Sequence, residues 1–437
     1  MDEQLVEPGY EAVRDAFVRG TPSLGRGGGA YCAYVDGKPV VDLWAGSAHP
    51  GKPWQRGTTT VIMSATKGLV AMCVQQLVDQ GRLDLDERVS TYWPEYAQNG
   101  KESTLVRHIM MHTAGVLGYA GQTDQMLADG TGWDDVDAIA AGLAAEAPLW
   151  EPGSKHCYHA LSFGWLAGEL VRRVDGRTVG QYFADELAGP LGLEAWIGTP
   201  EAELHRVAHL HPTRTDKMFP LVRKGYLASI AHMRDPQSYA GKAFLGSGPR
   251  SAVDDLEQIF NNPKVLRGEV PAGGGTANAR ALARVWAMQA NDGELDGVRL
   301  LSPESVEAWS RISSNLPDLM MSEVPLPRML ADKETPVPRT FGHLGNGAMA
   351  GLGHRFGPHP DAFGAEGLGG QFGFCDRAAN IAVGYVRSDL ALVDVLQPTV
   401  TRELYRCAKQ LGHDVSVVPS VSKVSGALVR RLMATKA

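Results

Sequence analysis

The sequence has few cysteines and no excess of basic residues, and each shortage removes a class of protein. Its five cysteines lie singly among 437 residues without a Cys-x-x-Cys pair, so we expect reduced thiols and neither a disulfide framework nor a zinc knuckle. The 42 Lys and Arg against 49 Asp and Glu give a net charge of -7, which leaves no broad basic field for nucleic acid or an anionic membrane.

The sequence also has no long apolar run, and we expect no secretory leader. No segment approaches the roughly 20 apolar residues of a membrane-spanning helix. The acidic start, residues 1–8, has neither the basic residues nor the apolar stretch of a signal peptide. We therefore expect a cytoplasmic protein with no membrane span and no nucleic-acid partner.

Hydrophobic residues make up 44% of the chain, enough for a large core, and their spacing divides the chain into parts. Residues 30–45 are typical of two strands joined by an Asp-Gly turn, and residues 371–386 of a second antiparallel hairpin. Apolar residues at spacings of three and four predict helices at 67–80 and 163–174. This pattern favours an α+β fold in which both ends of the chain supply strands.

The same pattern predicts how the chain divides into domains. Two regions rich in Pro, Gly and His without clear periodicity, 204–263 and 316–359, are expected to be long loops. The expected parts are a sheet domain made of 1–62 together with 276–414, a mostly helical domain at 63–275, and a basic C-terminal appendage at 415–437.

The segment most suggestive of chemistry is Ser64-Ala65-Thr66-Lys67, at the start of a predicted helix. Residues three apart share a helix face, so a partly desolvated Lys67 could take the proton of the Ser64 hydroxyl. The helix N-terminus would favour the developing anion. A serine that only caps the helix is the alternative. A second Ser-x-x-Lys match, Ser420 to Lys423, has no apolar helix behind it and we interpret it as accidental.

Four further stretches carry motifs that accompany Ser64 and Lys67: residues 81–95, residues 106–116, the Pro-Gly turn 150–154 that precedes Tyr158, and residues 363–371. Together with Ser64 and Lys67, they resemble the serine β-lactamases and penicillin-binding proteins, in the esterase branch of family VIII carboxylesterases. The resemblance implies a β-lactamase/transpeptidase-like fold, with an antiparallel sheet flanked by helices plus a mostly helical domain.

The resemblance also implies roles for single residues. Ser64 would attack the acyl carbonyl, Lys67 and Tyr158 would share the work of general base, and Tyr158 would return the proton to the leaving alkoxide. The amides of Ser64 and Leu368 would hold the oxyanion. No cofactor or metal is implied. The substrate strand would include Gly367, Leu368, Gly369 and Gly370, and the candidate pocket residues are Trp150, His159 and Glu366.

Two positions depart from the superfamily pattern. Tyr158 is followed by His159 and Ala160, where β-lactamases have Tyr-x-Asn. The third motif reads Ala365-Glu366-Gly367, where β-lactamases have Lys-Thr-Gly and many esterases have His-x-Gly. A carboxylate near the site would repel the carboxylate of a β-lactam. Efficient β-lactam hydrolysis is therefore disfavoured, and neutral esters fit better.

Other motifs give weaker signals. His205, His209 and His211 are close in sequence, but no His-Glu-x-x-His pattern accompanies them, so we expect no metal site there. His112 is expected to support the helices around the site. The absence of Gly-x-Ser-x-Gly from the sequence argues against an α/β-hydrolase.

The sequence thus predicts a carboxylesterase that cleaves short- to medium-chain esters through an acyl-enzyme on Ser64. Three alternatives stay open at this point: an acyltransferase that uses the same acyl-enzyme, a D-amino-acid amidase or peptidase, and a catalytically silent binding protein. The expected partner is a small-molecule ester, and the chain could form a homo-oligomer.

Overall fold

Antiparallel strands from both ends of the chain meet in one sheet. The computed structural model describes residues 3–218, 220–245, 256–323, 336–346, 356–391, 394 and 396–415. Apart from residue 415, the expected C-terminal appendage lies outside these residues, as does the second Ser-x-x-Lys match. The strands are β1 (Leu5–Val6), β2 (Gly28–Val35), β3 (Lys38–His49), β4 (Lys52–Pro53), β5 (Thr60–Val61), β6 (Ala195–Trp196), β7 (Thr276–Ala277), β8 (Glu294–Leu295), β9 (Val298–Arg299), β10 (Leu344–Gly345), β11 (Phe363–Glu366), β12 (Phe372–Asp376) and β13 (Ile381–Arg387).

The main sheet has the order β1-β3-β2-β13-β12-β11-β10, with β4 paired to β3, and all of its pairs are antiparallel. Both predicted hairpins are confirmed as β2–β3 and β12–β13. In the first hairpin, Asp36 and Gly37 have φ values of 50° and 71°, as a two-residue turn of type I′ requires. The pairing of β2 with β13 joins the N- and C-terminal segments.

Helices and short 3-10 turns make up most of the rest of the described chain. The α-helices are α1 (Glu11–Gly20), α2 (Thr66–Asp79), α3 (Val89–Tyr92), α4 (Val106–Met110), α5 (Gln122–Gln125), α6 (Val136–Ala145), α7 (Ser162–Asp175), α8 (Val179–Phe183), α9 (Gly189–Leu191), α10 (Pro220–Met233), α11 (Tyr239–Leu245), α12 (Leu256–Phe260), α13 (Pro263–Arg267), α14 (Ala279–Ala290), α15 (Pro303–Ser310), α16 (Leu319–Glu323) and α17 (Leu396–Gln410).

Helices cover both faces of the main sheet. Along β2, Tyr31, Ala33 and Val35 belong to the core between the sheet and helices α1 and α17, whereas Cys32 and Tyr34 belong to the core on the α2 and α14 side. This alternation is the period of two that a strand buried on both faces requires. The α+β architecture expected from the sequence is confirmed. The proposed boundaries between domains stay predictions.

Helix α2 lies at the centre of the molecule. Every residue from Thr66 to Leu77 is buried, so the helix is surrounded on all sides rather than amphipathic. Helix α7 packs beside it, and both predicted helices are confirmed within one or two residues. All five cysteines are buried free thiols, as expected. No helix in the described residues is both long and apolar enough to cross a membrane.

The prediction of a long loop at 204–263 is wrong for much of that region. Helices α10, α11 and α12 lie there. Pro220 occupies the first position of α10, where proline is well tolerated, rather than breaking the helix. Apolar and polar residues are mixed around α10, so the sequence shows no clear helical period there.

Candidate active site

A strained turn carries Ser64 into the cleft. Ser64 lies in a 3-10 helix, Met63–Ala65, that leads directly into α2, and it is partly exposed while its neighbours are buried. Met63 has a φ of 48°, a left-handed conformation that is costly for a side chain with a Cβ. The Thr66 hydroxyl donates to the Met63 carbonyl at 2.7 Å and fixes this turn.

The nucleophile turn is also held from outside by a glycine-rich segment, Pro271 to Gly275. The amide of Gly275 donates to the Thr66 hydroxyl at 3.1 Å, and its carbonyl accepts the amide of Ile62 at 2.8 Å. This segment lies more than two hundred residues after Ser64 in the sequence, and sequence reasoning assigned it no role. Its run of three glycines was the only local signal.

Lys67 is buried within reach of Ser64. Its side-chain nitrogen Nζ lies 3.2 Å from Ser64 Oγ and donates a hydrogen bond to the Ala272 carbonyl at 2.6 Å. The residue is only 3% exposed. Burial, and after it the positive charge of Arg339, lowers the pKa of Lys67 well below its usual value. The neutral amine is therefore favoured, and a neutral amine can accept the serine proton.

Tyr158 lies between two basic side chains, those of Lys67 and Arg339. The Lys67 nitrogen is 5.0 Å from the centre of its ring, and the Arg339 guanidinium carbon is 5.2 Å from the same point. Burial raises the pKa of Tyr158 to about 12, although a hydrogen bond with Ser64 and the charge of Arg339 act in the opposite direction. The phenol is therefore protonated at neutral pH and can donate a proton.

The loop around Tyr158 is fixed by His112. The His112 carbonyl accepts the amide of Cys157 at 3.2 Å, and its ring nitrogen Nδ1 accepts the amide of His159 at 3.1 Å. The ring also stacks on Phe163, with centroids 4.7 Å apart. Both neighbours of Tyr158 are thus held by one residue, in agreement with the supporting role expected for His112.

Asp318 holds the same loop from the other side. Its Oδ1 accepts the backbone amides of Tyr158 at 3.3 Å and Met320 at 3.0 Å, and its Oδ2 lies 3.7 Å from the Arg339 guanidinium. Burial raises the pKa of Asp318, and Arg339 opposes that shift. Asp318 and Arg339 were missed in the sequence because both lie far along the chain from Tyr158 and neither belongs to a recognisable motif.

The third-motif segment approaches the nucleophile turn closely. A Cβ on Gly367 would lie 2.2 Å from the Ile62 carbonyl oxygen, so only glycine fits there. The segment turns back through a hydrogen bond from Gly370 to the Gly367 carbonyl, at 3.2 Å. Leu368 is 44% exposed. Within the described part of the chain, the amides of Ser64 and Leu368 have no hydrogen-bond acceptor, which suits them to an oxyanion.

The three candidate pocket residues differ in their positions. Glu366 is partly exposed at the end of β11, and its charge acts to raise the pKa of Tyr158. Trp150 is buried and its indole N–H donates to the Thr113 carbonyl at 3.0 Å. His159 is fully buried, with Nδ1 2.7 Å from the Cys157 carbonyl. The His159 ring packs against Trp150 and His112, and its role as a pocket residue stays a prediction.

Comparison with known proteins places these features in a family. The sequence model of the Beta-lactamase family matches residues 4–394. Esterase/beta-lactamase LipL of Mycobacterium tuberculosis is 33% identical over 400 residues, which are 88% of this chain and 82% of LipL.

Solved structures agree with the sequence matches. The crystal structure of a family VIII carboxylesterase superposes with a TM-score of 0.76 at 31% identity and covers 93% of this chain and 99% of the other. A penicillin-binding protein homologue from Caulobacter crescentus superposes with a TM-score of 0.74 at 31% identity. The match covers 92% of this chain and 98% of the homologue. The β-lactamase/transpeptidase-like fold implied by the resemblance is confirmed.

Proposed function

Because the chain belongs to the Beta-lactamase family and its relatives include esterases, we propose that it is a carboxylesterase that cleaves short- to medium-chain esters through an acyl-enzyme on Ser64. The observation that carries the proposal is the buried Lys67 nitrogen, 3.2 Å from Ser64 Oγ. Burial of an amine in this position favours the neutral form that a serine nucleophile needs as its base.

Acylation begins when Ser64 Oγ attacks the carbonyl carbon of the ester. The neutral Lys67 amine takes the hydroxyl proton as the C–O bond forms. The carbonyl oxygen becomes an oxyanion, which the amides of Ser64 and Leu368 stabilise. The hydrogen bond to the Ala272 carbonyl keeps the Lys67 nitrogen in place throughout.

Collapse of the oxyanion breaks the bond to the alcohol oxygen. Tyr158 gives its proton to the leaving alkoxide, and protonated Lys67 then returns a proton to the tyrosinate. In the second half of the reaction, water attacks the acyl-enzyme and the same proton transfers run in the opposite direction. The acid is then released. In this assignment Lys67 is the base and Tyr158 is the acid, whereas the resemblance has both residues share the role of base. The roles are divided because the pKa of Lys67 is lowered and the pKa of Tyr158 is raised to about 12.

Neutral esters suit this site better than β-lactams, although one relative is named for both activities. In the third motif, Ala365 stands where β-lactamases have the lysine that attracts the carboxylate of the drug, and Glu366 beside it is acidic. We expect a lower kcat/KM for nitrocefin than for p-nitrophenyl butyrate. Glu366→Gln should raise the nitrocefin value by about tenfold or less, since the group is partly exposed, and leave the butyrate value little changed.

We also propose that the protein works in the cytoplasm. The five cysteines are all free thiols, and free thiols persist in a reducing compartment.

The experiment that tests the proposal is covalent labelling followed by intact-mass spectrometry. We expect one fluorophosphonate adduct on the wild type and none on Ser64→Ala, with turnover of p-nitrophenyl acetate, butyrate and octanoate reduced by about 10⁴-fold or more in the variant. Ser420→Ala, in the second Ser-x-x-Lys match, is the control and should label and turn over like the wild type.

Circular dichroism of both variants would establish that they fold. An adduct that persists on folded Ser64→Ala would show that the nucleophile lies elsewhere. A folded wild type that neither labels nor turns over esters would favour the silent binding protein.

A further inference from the structure

Two histidines that the esterase chemistry does not use lie on one side of an extended segment. His209 and His211 are two residues apart, so their side chains share a side of the extended backbone. Their ring centroids are 4.7 Å apart. The His209 amide donates to the Ala48 carbonyl at 2.8 Å, and the His211 amide donates to the Ser388 carbonyl at 2.7 Å. Both backbones are therefore fixed to strands of the main sheet or to their ends.

The fold supplies the carboxylate that the local sequence lacks. Glu257, on α12, places Oε1 3.0 Å from His209 Nε2. The donor atoms of His209, His211 and Glu257 all lie within 4.8 Å of one another. The sequence predicts no metal site here because no acidic residue follows the histidines in a known spacing, and Glu257 comes from a separate segment.

Helix α12 is locked to the histidine segment by a second residue. The Asn261 side chain accepts the Leu210 amide at 2.8 Å and donates to the Leu210 carbonyl at 2.9 Å. Leu210 lies between the two histidines, and Asn261 lies one turn after Glu257. This two-point contact sets the position of Glu257 relative to both imidazoles, so the three side chains are held together by the backbone.

We propose that His209, His211 and Glu257 bind one Zn²⁺ ion. Two imidazoles and one carboxylate are a common zinc ligand set, with a fourth position left for water. Small side-chain rotations would bring three donors that are already within 4.8 Å to bonding distance. The histidines are partly exposed, so an ion from solvent can reach them.

The surrounding charges are compatible with a bound cation. Four groups act on His211 through their charges: the acidic Asp389 and Glu257, and the basic His209 and Arg26. Arg26 is paired with Asp389, at 3.1 Å, which balances its charge beside the site.

The position of the ligands gives the ion a structural role. The two histidines precede residues 212–256 and Glu257 directly follows them, so the ion would join the two ends of this long segment. The segment contains α11, whose Tyr239 and Phe244 pack in the apolar cluster beside Tyr158. A metal that closes the ends of a long segment reduces its conformational freedom. Zinc would therefore stabilise this wall of the candidate active site without taking part in the ester chemistry.

The test uses the full-length protein after treatment with EDTA and removal of the chelator. Calorimetric titration with ZnSO₄ should show one ion per chain. His211→Ala and Glu257→Gln should each lower the affinity by about tenfold or more. His205→Ala is the matched control, because His205 is exposed in the same region and its ring contacts the Ala202 carbonyl instead. It should bind zinc like the wild type.

Hydrogen exchange gives a second readout, independent of any enzyme activity. Zinc should slow amide exchange in Pro220–Leu245 in the wild type and in His205→Ala, but not in Glu257→Gln. Glu257 is 47% exposed, so its substitution should leave folding intact even if His211→Ala unfolds. Zinc binding that is absent, unaffected by the ligand variants, or weakened equally by His205→Ala would overturn the proposal. Loss of the esterase proposal would not change these outcomes.

Discussion

Arg339 is the residue whose charge the Lys67–Tyr158 pair depends on most. Its guanidinium lies 5.2 Å from the Tyr158 ring centre, and its positive charge lowers the pKa of both Lys67 and Tyr158. The third motif has no cation in this chain, so Arg339 provides positive potential at the pair from another direction. It touches the Tyr158 ring rather than the reacting atoms and acts as a positioning and electrostatic residue.

Replacing Arg339 should move the pH profile of the esterase. Activity needs neutral Lys67, so kcat/KM rises with pH through the pKa of Lys67 in the free enzyme. Arg339→Met removes a positive charge that disfavours protonated Lys67, so that pKa rises and the ascending limb moves to higher pH, by about one unit. The measurement is kcat/KM for p-nitrophenyl butyrate against pH.

Arg339→Lys is the matched variant, because it keeps the charge while changing the shape. Its ascending limb should lie near that of the wild type, even if its kcat is reduced by poorer packing on Tyr158. If the ascending limb of the pH profile does not move in folded Arg339→Met and only the rate is lowered, Arg339 has a purely structural role.

The residues of this site differ in how far the sequence could predict them. Ser64 and Lys67 are one helical turn apart, so their contact follows from local geometry, and Tyr158 was placed by a resemblance to known motifs. Asp318 and Arg339 meet Tyr158 only through the tertiary fold.

At the level of elements, the nucleophile helix is positioned by close contact with strand β11. A Cβ on Gly68 would lie 2.7 Å from the Ala365 Cβ and 3.3 Å from Trp286 Cζ2. Only a glycine in α2 allows this spacing. The helix and strand therefore hold Ser64 and the third-motif amides at a fixed separation.

Gly68→Ala should push α2 away from β11. We expect a loss of unfolding free energy of about 1–2 kcal/mol, because overpacking outweighs the better helix propensity of alanine. The kcat for p-nitrophenyl butyrate should fall as well, since the oxyanion donors would be displaced. Urea unfolding and steady-state kinetics measure the two effects.

Gly273→Ala is the control, because it makes the same glycine-to-alanine change near the nucleophile turn. Its Cβ would meet Phe260 at 3.8 Å and the Met63 backbone at 4.0 Å, which are ordinary contacts. It should keep stability and rate near those of the wild type. Equal effects of the two substitutions would contradict the role of the α2–β11 contact.

Helix α11 supplies part of the apolar surface beside Tyr158. Phe244 and Tyr239 are partly buried in a cluster with Trp150, Leu319 and Met320. We expect the acyl chain of the ester to lie along this surface. Phe244→Ala should then lower kcat/KM for p-nitrophenyl octanoate by about tenfold while the acetate value changes little, since burial of acyl carbons is lost.

Leu227→Ala on α10 is the control for this prediction, because Leu227 is 47% exposed and lies in the same segment, residues 212–256. It should leave the ratio of octanoate to acetate unchanged. If Phe244→Ala lowers all esters by the same factor, the residue supports the Tyr158 loop but does not contact the acyl chain.

The elements themselves were predictable where their periodicity is strong. The β2–β3 and β12–β13 hairpins and helices α2 and α7 follow from alternation, turn residues and helical spacing. Helices α10 and α11 were missed because their apolar residues show no clear period and because prolines and histidines surround them. Helix α10 packs on α11, and α11 packs on α16 and the apolar cluster beside Tyr158; a local sequence pattern cannot contain such contacts.

For the whole molecule, buried histidines make stability depend on pH. Burial lowers the pKa of His156 to about 2, of His159 to about 4 and of His343 to about 3. In the unfolded chain the same groups have a pKa of about 6.5. Between these values the unfolded chain binds protons that the folded chain does not, so the free energy of unfolding decreases as pH falls below about 6.5.

The three groups together should remove about 3 kcal/mol of stability between pH 6.5 and 5.5. Buried carboxylates act in the opposite direction, because burial raises the pKa of Asp42, Asp318 and Asp376 above the usual 3.8. Urea unfolding at pH 7.5, 6.5 and 5.5 measures the net change in the free energy of unfolding.

His343 allows one of these groups to be tested alone, because its ring packs among Trp286, Trp309 and Phe363, outside the Tyr158 loop. His343→Phe keeps an aromatic ring and removes the titration, so the loss of stability between pH 6.5 and 5.5 should shrink by about 1 kcal/mol. His205→Ala removes an exposed histidine and should leave that loss unchanged. If His343→Phe loses as much stability between pH 6.5 and 5.5 as the wild type does, burial of neutral His343 does not contribute to the loss.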